Sequence, residues 1–272
     1  MDRLKWCRAF ANVEKITGNT ACPRIGSALD KDLSETFSFR SITPGIELLK
    51  HDFSLPRHRH LSAYATVVLS GSLEEAGYAG RIQASTGDVL VHPSLDCHVN
   101  HKVLAGVRLI RLLWSDPLIQ SGLYHVDDLD QLAILAEKCP ADATLLLSEL
   151  LRKRATKSPR IRNDWPDLLA TDLAMNFSTS IGDWARAHQL APETVSRSFS
   201  KAYGISPEVF KAECRARRAW LRITKGTDDL SMVAAETGFA DQAHMTHWIR
   251  RTTGASPGAW RRKTSTSHLD AA

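Results

Sequence analysis

Residues 181–207, IGDWARAHQLAPETVSRSFSKAYGISP, and residues 230–257, LSMVAAETGFADQAHMTHWIRRTTGASP, set out one plan twice. From the first short segment to the second, Ala185 maps to Ala234 and Leu190 to Phe239 at an offset of 49. After one inserted residue in the turn the offset is 50: Val195 to Met245, Phe199 to Ile249, Gly204 to Gly254, Ser206 to Ser256, Pro207 to Pro257 and Phe210 to Trp260. Each copy reads as a short helix, a tight turn, a second helix and a close on Gly-x-Ser-Pro. In the second helix of the first copy, Val195 and Phe199 stand i,i+4 and face inward, which leaves Glu193, Thr194, Ser196, Arg197, Ser200 and Lys201 outside. In the second copy Met245 and Ile249 anchor the helix and leave Gln242, His244, His247, Arg250 and Arg251 outside. Such faces fit the major groove, where polar side chains read base edges while Lys and Arg meet phosphates. One helix pair is common in all-α domains and a polar face is often plain solvated surface. Two copies with matching turns favour a two-part reader.

The segment between the copies sets their spacing. Ser206 suits an N-cap, Pro207 the first helical position and Gly226 the stop, so a helix of about 20 residues, or about 30 Å, joins them. Major-groove faces on one side of B-DNA repeat every ~34 Å. Val209, Ala212, Ala216, Ala219 and Ile223 form the expected buried stripe, and Arg215, Arg217, Arg218 and Arg222 read as solvated or packed rather than base-reading.

The motifs YGISPEVF, RARRAWLRI, VAAETGFADQAHMTHWIRR and TGASPGAW, in that order over about 165–263, resemble the DNA-binding module of the arabinose-regulator (AraC/XylS) family of bacterial transcription factors. The resemblance implies base-facing positions at Glu193, Thr194, Ser196 and Arg197 in the first reading helix and at Gln242, Ala243, His244 and His247 in the second. Two departures stand out: Gln189 occupies a turn position where Gly is usual, and Ala243 is too small to hydrogen-bond a base.

Upstream, about 36 to 114 is short, alternating and punctuated by Gly and Pro, as in TFSFR, IELLKHDF and GDVLVHP, the pattern of a small antiparallel sandwich or barrel. His58 and His60 stand i,i+2 on one strand and point the same way; His98, from a later strand, completes a nitrogen set for a divalent metal. The pattern over about 45–115 resembles the cupin barrel, with Tyr64 at the spacing where cupin enzymes add a Glu. Without that carboxylate, iron or manganese oxygen chemistry loses support, and the favoured reading is that the same histidines line a small-molecule pocket or satisfy barrel hydrogen bonds, ahead of a functional metal. His92 and His101 read as surface or turn residues, and Cys97 should face away from His98.

The chain of 272 residues is 43% apolar and 24% charged, a globular balance long enough for two cores. Its formal net charge of +5 is concentrated: 160–263 hold 16 Lys and Arg against 11 Asp and Glu, while 1–159 hold 19 against 18. That asymmetry suits a polyanionic partner. The five cysteines are scattered and never C-x-x-C, no run approaches a membrane span, and MDRLKWCRAF lacks a signal core, so the expectation is a cytoplasmic protein. The expected fold is α+β in two domains: a cupin-like β-barrel at 1–126, a helical connector and linker at 127–163 with the polar stretch 152–164, and an all-α double helix-turn-helix domain at 164–264. The 1–35 stretch carries no readable motif. The expected function is an effector-responsive, sequence-specific transcription regulator and not an enzyme. No cofactor is required, and a divalent metal in the barrel is an option. Promoter DNA is the partner, with a small-molecule effector, RNA polymerase in an activator, and a homodimer through DATLLLSELL as further candidates. The alternatives are a metal-dependent cupin enzyme with a nucleic-acid-binding appendage and an architectural protein that binds DNA without reading it.

Overall fold

The computed structural model describes residues 38–154, 156, 157 and 164–269; residues 1–37, and 155 and 158–163 of the expected linker, lie outside the described residues. The strands are β1 (Ser38–Phe39), β2 (Gly45–Leu49), β3 (Leu55–His60), β4 (Tyr64–Ser70), β5 (Ser72–Gly77), β6 (Gly80–Ser85), β7 (Asp88–His92), β8 (Asp96–Asn100), β9 (Val107–Leu113), β10 (Gly122–His125) and β11 (Thr156–Lys157). The helices are α1 (Asp130–Lys138), α2 (Pro140–Arg154), α3 (Trp165–Met175), α4 (Ile181–Ala187), α5 (Pro192–Tyr203), α6 (Pro207–Lys225), α7 (Leu230–Glu236), α8 (Gln242–Thr253) and α9 (Pro257–Leu269). The α+β division is as expected: strands first, helices after. The β-region extends past 114 through β10, which pairs with β7, and β11, which brings the chain back from α2 onto β10.

Two sheets form the β-domain, one ordered β1-β3-β8-β5-β6 and the other β11-β10-β7-β4-β9-β2, antiparallel throughout except for the parallel β1–β3 pair. Period-2 alternation sorts the side chains. Leu49, Val68, Leu73, Ile82, Ala84, Leu90 and Leu109 meet between the sheets. Ala65, Val67, Val89, Val91, Ile110 and Leu112 cover the outer face of the six-stranded sheet and pack against Leu132 and Ala136 of α1 and Ala143, Leu147 and Leu151 of α2. Most of the apolar face of DATLLLSELL is therefore spent on the chain's own sheet, leaving Leu145 exposed.

The five-stranded sheet turns its outer face to the helices. Ala76, Tyr78 and Val99 join Leu169, Trp184, Val195, Phe199, Tyr203 and Phe210 in one core. The β-domain and helices belong to one compact unit, Glu35–Ala272. A second core, Ala216, Ala219, Ile223, Val233, Ala234, Met245 and Ile249, holds α7 and α8 on the far half of α6. Helix α6 runs 19 residues from Ser206, whose hydroxyl accepts from the Val209 amide, to Gly226. The expected stripe is buried at Ala216, Ala219 and Ile223, but Val209 and Ala212 are only half-buried, while Phe210, Glu213 and Cys214 are buried. The stripe is wider than expected because α6 meets the β-domain as well as its neighbouring helices.

Candidate functional site

The duplicated units present the same elements in the same chain order. Helices α4 and α7 each have seven residues and α5 and α8 each have twelve. Both α5 and α8 end on a left-handed glycine, Gly204 at φ 73° and Gly254 at φ 75°. The inter-helix turns are also the same: Gln189 and Leu190 amides donate to Arg186 and Ala185 carbonyls at 3.1 and 2.9 Å, and Gly238 and Phe239 amides to Ala235 and Ala234 at 3.1 and 3.0 Å. Gln189 takes the conformation of its glycine counterpart, φ 56° against 79°, so the turn survives the departure from Gly.

Val195, Phe199, Met245 and Ile249 are fully buried. Glu193, Ser196, Arg197 and Lys201 of α5 are exposed and Thr194 is half-exposed; on α8, Gln242, Ala243, His244 and His247 are exposed. Arg251 is half-buried, its guanidinium 5.5 Å from the Trp248 ring. Gln242, Ala243, Thr246, His247 and Arg250 line one shallow open concavity, so the small Ala243 leaves room between polar neighbours. The connector arginines are engaged with protein: Arg215 donates to Phe177 O at 2.5 Å, Arg218 to Ala174 O at 3.3 Å, and Arg222 bonds Asp228 and Glu236.

A second polar site lies between the sheets. His58 and His60 of β3, Tyr64 of β4, Glu75 of β5, His92 of β7 and Asp96 and His98 of β8 are all buried. Their rings are in contact: His58–His98 4.6 Å, His58–His60 4.9 Å, His60–Tyr64 4.7 Å and Tyr64–His92 4.1 Å between centroids. The sequence set His58, His60, Tyr64 and His98 is brought together. His92 corrects the expectation of a surface residue. It falls in step with Leu90, which points between the sheets, so it points there too. His101 is half-buried and its Nε2 lies 2.8 Å from Ala202 O, a contact across to α5. Cys97 faces away from the cluster, as alternation requires, with its Sγ 3.8 Å from Glu213; burial pushes its thiol up.

The carboxylates were missed. Glu75 Oε1 lies 3.6 Å from His92 Nδ1, and Asp96 Oδ2 lies 2.9 and 2.8 Å from the Nδ1 atoms of His92 and His98. Alternation along SLEEAG and DCHVN carries the signal, since Glu75 is two residues from core Leu73 and Asp96 two from His98. His58 Nδ1 sits 2.9 Å from Pro56 O and His60 Nδ1 2.9 Å from Arg40 O. A carbonyl only accepts, so these Nδ1 atoms carry the proton and each Nε2 keeps its lone pair. The Nε2 atoms of His58, His60 and His92 are buried without a hydrogen-bond partner. Burial, reinforced by the neighbouring His98, pushes His58 down to about 3 and His60 down to about 2. Burial also works against a proton on His92, but Glu75 and Asp96 outweigh it and raise that group. Burial alone would raise the Asp96 carboxyl, whereas the hydrogen bonds from His92 and His98 hold it well below the usual range. Oxygen acceptors fixing Nδ1 and leaving Nε2 convergent are what a divalent-metal site requires of its surroundings. Two overlapping groups have ligand atoms within 4.8 Å of one another, His58/His60/His98 and Glu75/His92/His98. The residues fit a borderline ion such as Zn(II).

A family model described as "Helix-turn-helix domain" matches residues 184–263. No curated protein matches the chain. Among solved structures, the chain is similar to the C-terminal domain of AraT, a response regulator from Geobacillus stearothermophilus, at 18% identity over 36% of this chain and 84% of that one, TM-score 0.34. It is similar to unsaturated fatty acid bound ToxT from Vibrio cholerae at 11% identity over 80% and 94%, TM-score 0.33. A DNA-binding transcriptional dual regulator from Escherichia coli K-12 gives 16% identity over 40% and 99%, TM-score 0.36. Among the described residues, no helix is long and apolar enough to cross a membrane. The domain match falls on the duplicated units, whose helix lengths, inter-helix turns and C-terminal glycine caps correspond; residues 184–263 match a helix-turn-helix domain.

Proposed function

We propose that α5 and α8 enter two successive major-groove segments of promoter DNA and that the β-domain, a cupin-like barrel, is the effector-sensing part. Glu193, Thr194, Ser196, Arg197, Gln242, His244 and His247 are the base-facing side chains, Ala243 gives apolar contact, and Lys201 and Arg251 meet phosphates. The observation that carries this reading is the repeat of one exposed polar helix, with the same turn and cap, at the two ends of a single rigid spacer. That spacer, at 1.5 Å per residue, is about 28 Å long, near the ~34 Å repeat of the groove once the offset of each reader is added. Selection from random DNA tests the reading: the expected product is a bipartite site with its halves about one turn apart, and Arg197→Ala and His247→Ala each relax the preference at one position. Recovery of no consensus, with binding that depends only on salt, would favour an architectural role.

The imidazole cluster supports the effector-sensing part and gives the barrel a divalent-ion option: His58, His60 and His98 would hold the ion, with Glu75 and His92 adjoining. Such an ion supplies positive charge and a fixed geometry. The appended-enzyme reading gains a carboxylate in Glu75, yet His58, His60, Tyr64 and His98 are sealed to 2% exposure or less, which favours a structural or signalling occupant over turnover. We therefore read the chain as non-catalytic. Elemental analysis of the purified protein and of His58→Ala tests the ion option. Homodimerisation would use the outer side of α1 and α2, where Ile134 and Leu145 are exposed, and RNA polymerase is a partner in an activator.

A further inference from the structure

Strand β3 alternates two chemistries, Arg57-His58-Arg59-His60, and all four side chains are 1–2% exposed. A strand so polar and so buried needs partners on both faces, and Arg57 and Arg59 find theirs while the Nε2 atoms of His58 and His60 do not. His58 and His60 point between the sheets; Arg57 and Arg59 point the other way, into the helical domain. Arg57 donates to Glu213 Oε2 through Nε at 3.1 Å and Nη2 at 2.8 Å, and Arg59 donates to Glu213 Oε1 through Nη2 at 2.9 Å. Glu213 is wholly buried in the middle of α6.

The same two guanidinium groups also reach the reading helices. Arg57 Nη1 donates to the carbonyl of Tyr203, the last residue of α5, at 3.1 Å. Arg59 Nη1 donates to the carbonyl of Thr252, in the last turn of α8, at 2.6 Å. Each arginine therefore supplies a positive charge and a donor at the carbonyl-rich end of one reader, where both are favourable. A buried ion triad adds little net stability but specifies one arrangement sharply, because guanidinium hydrogen bonds are directional and the charges have no water to fall back on. Two residues of one strand thus hold the ends of both readers and the middle of their spacer. The start of β3 is loosely laddered, since its register on β8 shifts between Leu55 and His58; a bulge there lets the strand be re-aimed locally.

We propose that β3 is the coupling element of the regulator: Arg57 and Arg59 are positioning residues that fix the two reading helices relative to each other, and a change on the His58–His60 face displaces both readers together. This rests on the effector-responsive reading above. The test begins with the site selected by the full-length wild-type chain. Affinity is measured on that site and on versions with one base pair inserted or removed between its halves, for wild type, Arg59→Met and Glu213→Gln. Wild type should prefer the native spacing by at least tenfold, and both variants should reduce that ratio at least fivefold. A merely structural role would lower the active fraction and leave the ratio intact, which would overturn the positioning assignment. Glu213→Gln keeps the shape and an acceptor, so it serves if Arg59→Met folds poorly. A double-mutant cycle between His92→Phe, inside the β-domain, and Glu213→Gln, on the other side of β3, tests the coupling: a departure of at least fivefold from additive effects on DNA affinity is expected, and additivity within twofold would overturn it. Failure to select any bipartite site defeats the reader assignment itself, whereas a selected site with an unaltered spacing ratio defeats only the role of β3.

Discussion

The two inter-helix turns make opposite predictions at equivalent positions. Gln189 and Gly238 both occupy the left-handed region, φ 56° and 79°, and both close the same pair of backbone hydrogen bonds. For an L residue with a Cβ that conformation costs roughly 1–2 kcal/mol. Gln189 is exposed, so Gln189→Gly removes the strain without removing packing. The greater freedom of glycine in the unfolded chain takes back about 0.5–1 kcal/mol. The net gain is about 0.5–1 kcal/mol. Gly238→Ala goes the other way: it introduces the same left-handed cost, and the new Cβ would stand 3.0 Å from Phe177 Cβ and 3.2 Å from Arg215 Nε. Its loss is about 1–3 kcal/mol. At roughly 2–4 °C per kcal/mol for a chain of this size, Gln189→Gly should raise Tm by about 1–4 °C and Gly238→Ala lower it by several degrees. Urea titrations followed by tryptophan fluorescence, with Trp184 inside the first unit, supply the matching midpoints. A destabilised Gln189→Gly, or a neutral Gly238→Ala, would refute the argument that the turn itself imposes the positive φ in both copies.

Glu213→Ala should be far more damaging than a typical helix substitution, by about 3–5 kcal/mol, because it strands two buried guanidinium groups; a urea midpoint within error of wild type would show that the triad does not form. Acid should destabilise the metal-free protein between about pH 6.5 and 4, since His58 and His60 have folded values below the ordinary one and the unfolded chain takes up protons first. The slope is up to about 1.4 kcal/mol per pH unit for each imidazole. His92 is shifted upward, so the stability it contributes is lost as pH rises from the ordinary imidazole value, opposite in sense to the acid effect of His58 and His60. Stability flat from pH 6.5 to 4 would count against burial of neutral rings. Lys201→Ala should weaken binding evenly across DNA sequences and reduce the slope of log K against log [salt] by ~0.9, whereas Arg197→Ala should cost about 1–3 kcal/mol at one base position only; a Lys201→Ala effect confined to particular sequences would reverse those roles.

What the sequence reveals of this molecule follows from how many residues carry each signal. The helical domain was legible because its two units repeat apolar anchors, caps and turn residues over more than twenty positions each, and every one of those signals is local. The β-domain was legible as strands, and His58, His60, Tyr64 and His98 as one group, because alternation is also local. Glu75, His92 and Asp96 were not, since which inward residues share one end of a two-sheet space depends on strand order and register. Glu213 is the instructive case. It stands four residues after Val209 and three before Ala216, on the very stripe assigned to the core of α6, and a carboxylate there is either misplaced or paired. Its partners, Arg57 and Arg59, sit 156 and 154 residues away in sequence, alternating with two histidines that the same strand turns inward. A charge on an apolar stripe and two more on a doubly buried strand are each anomalous alone. Their mutual neutralisation is the simplest account of all three, and it obliges the β-domain and the readers to be folded against each other before any DNA is met.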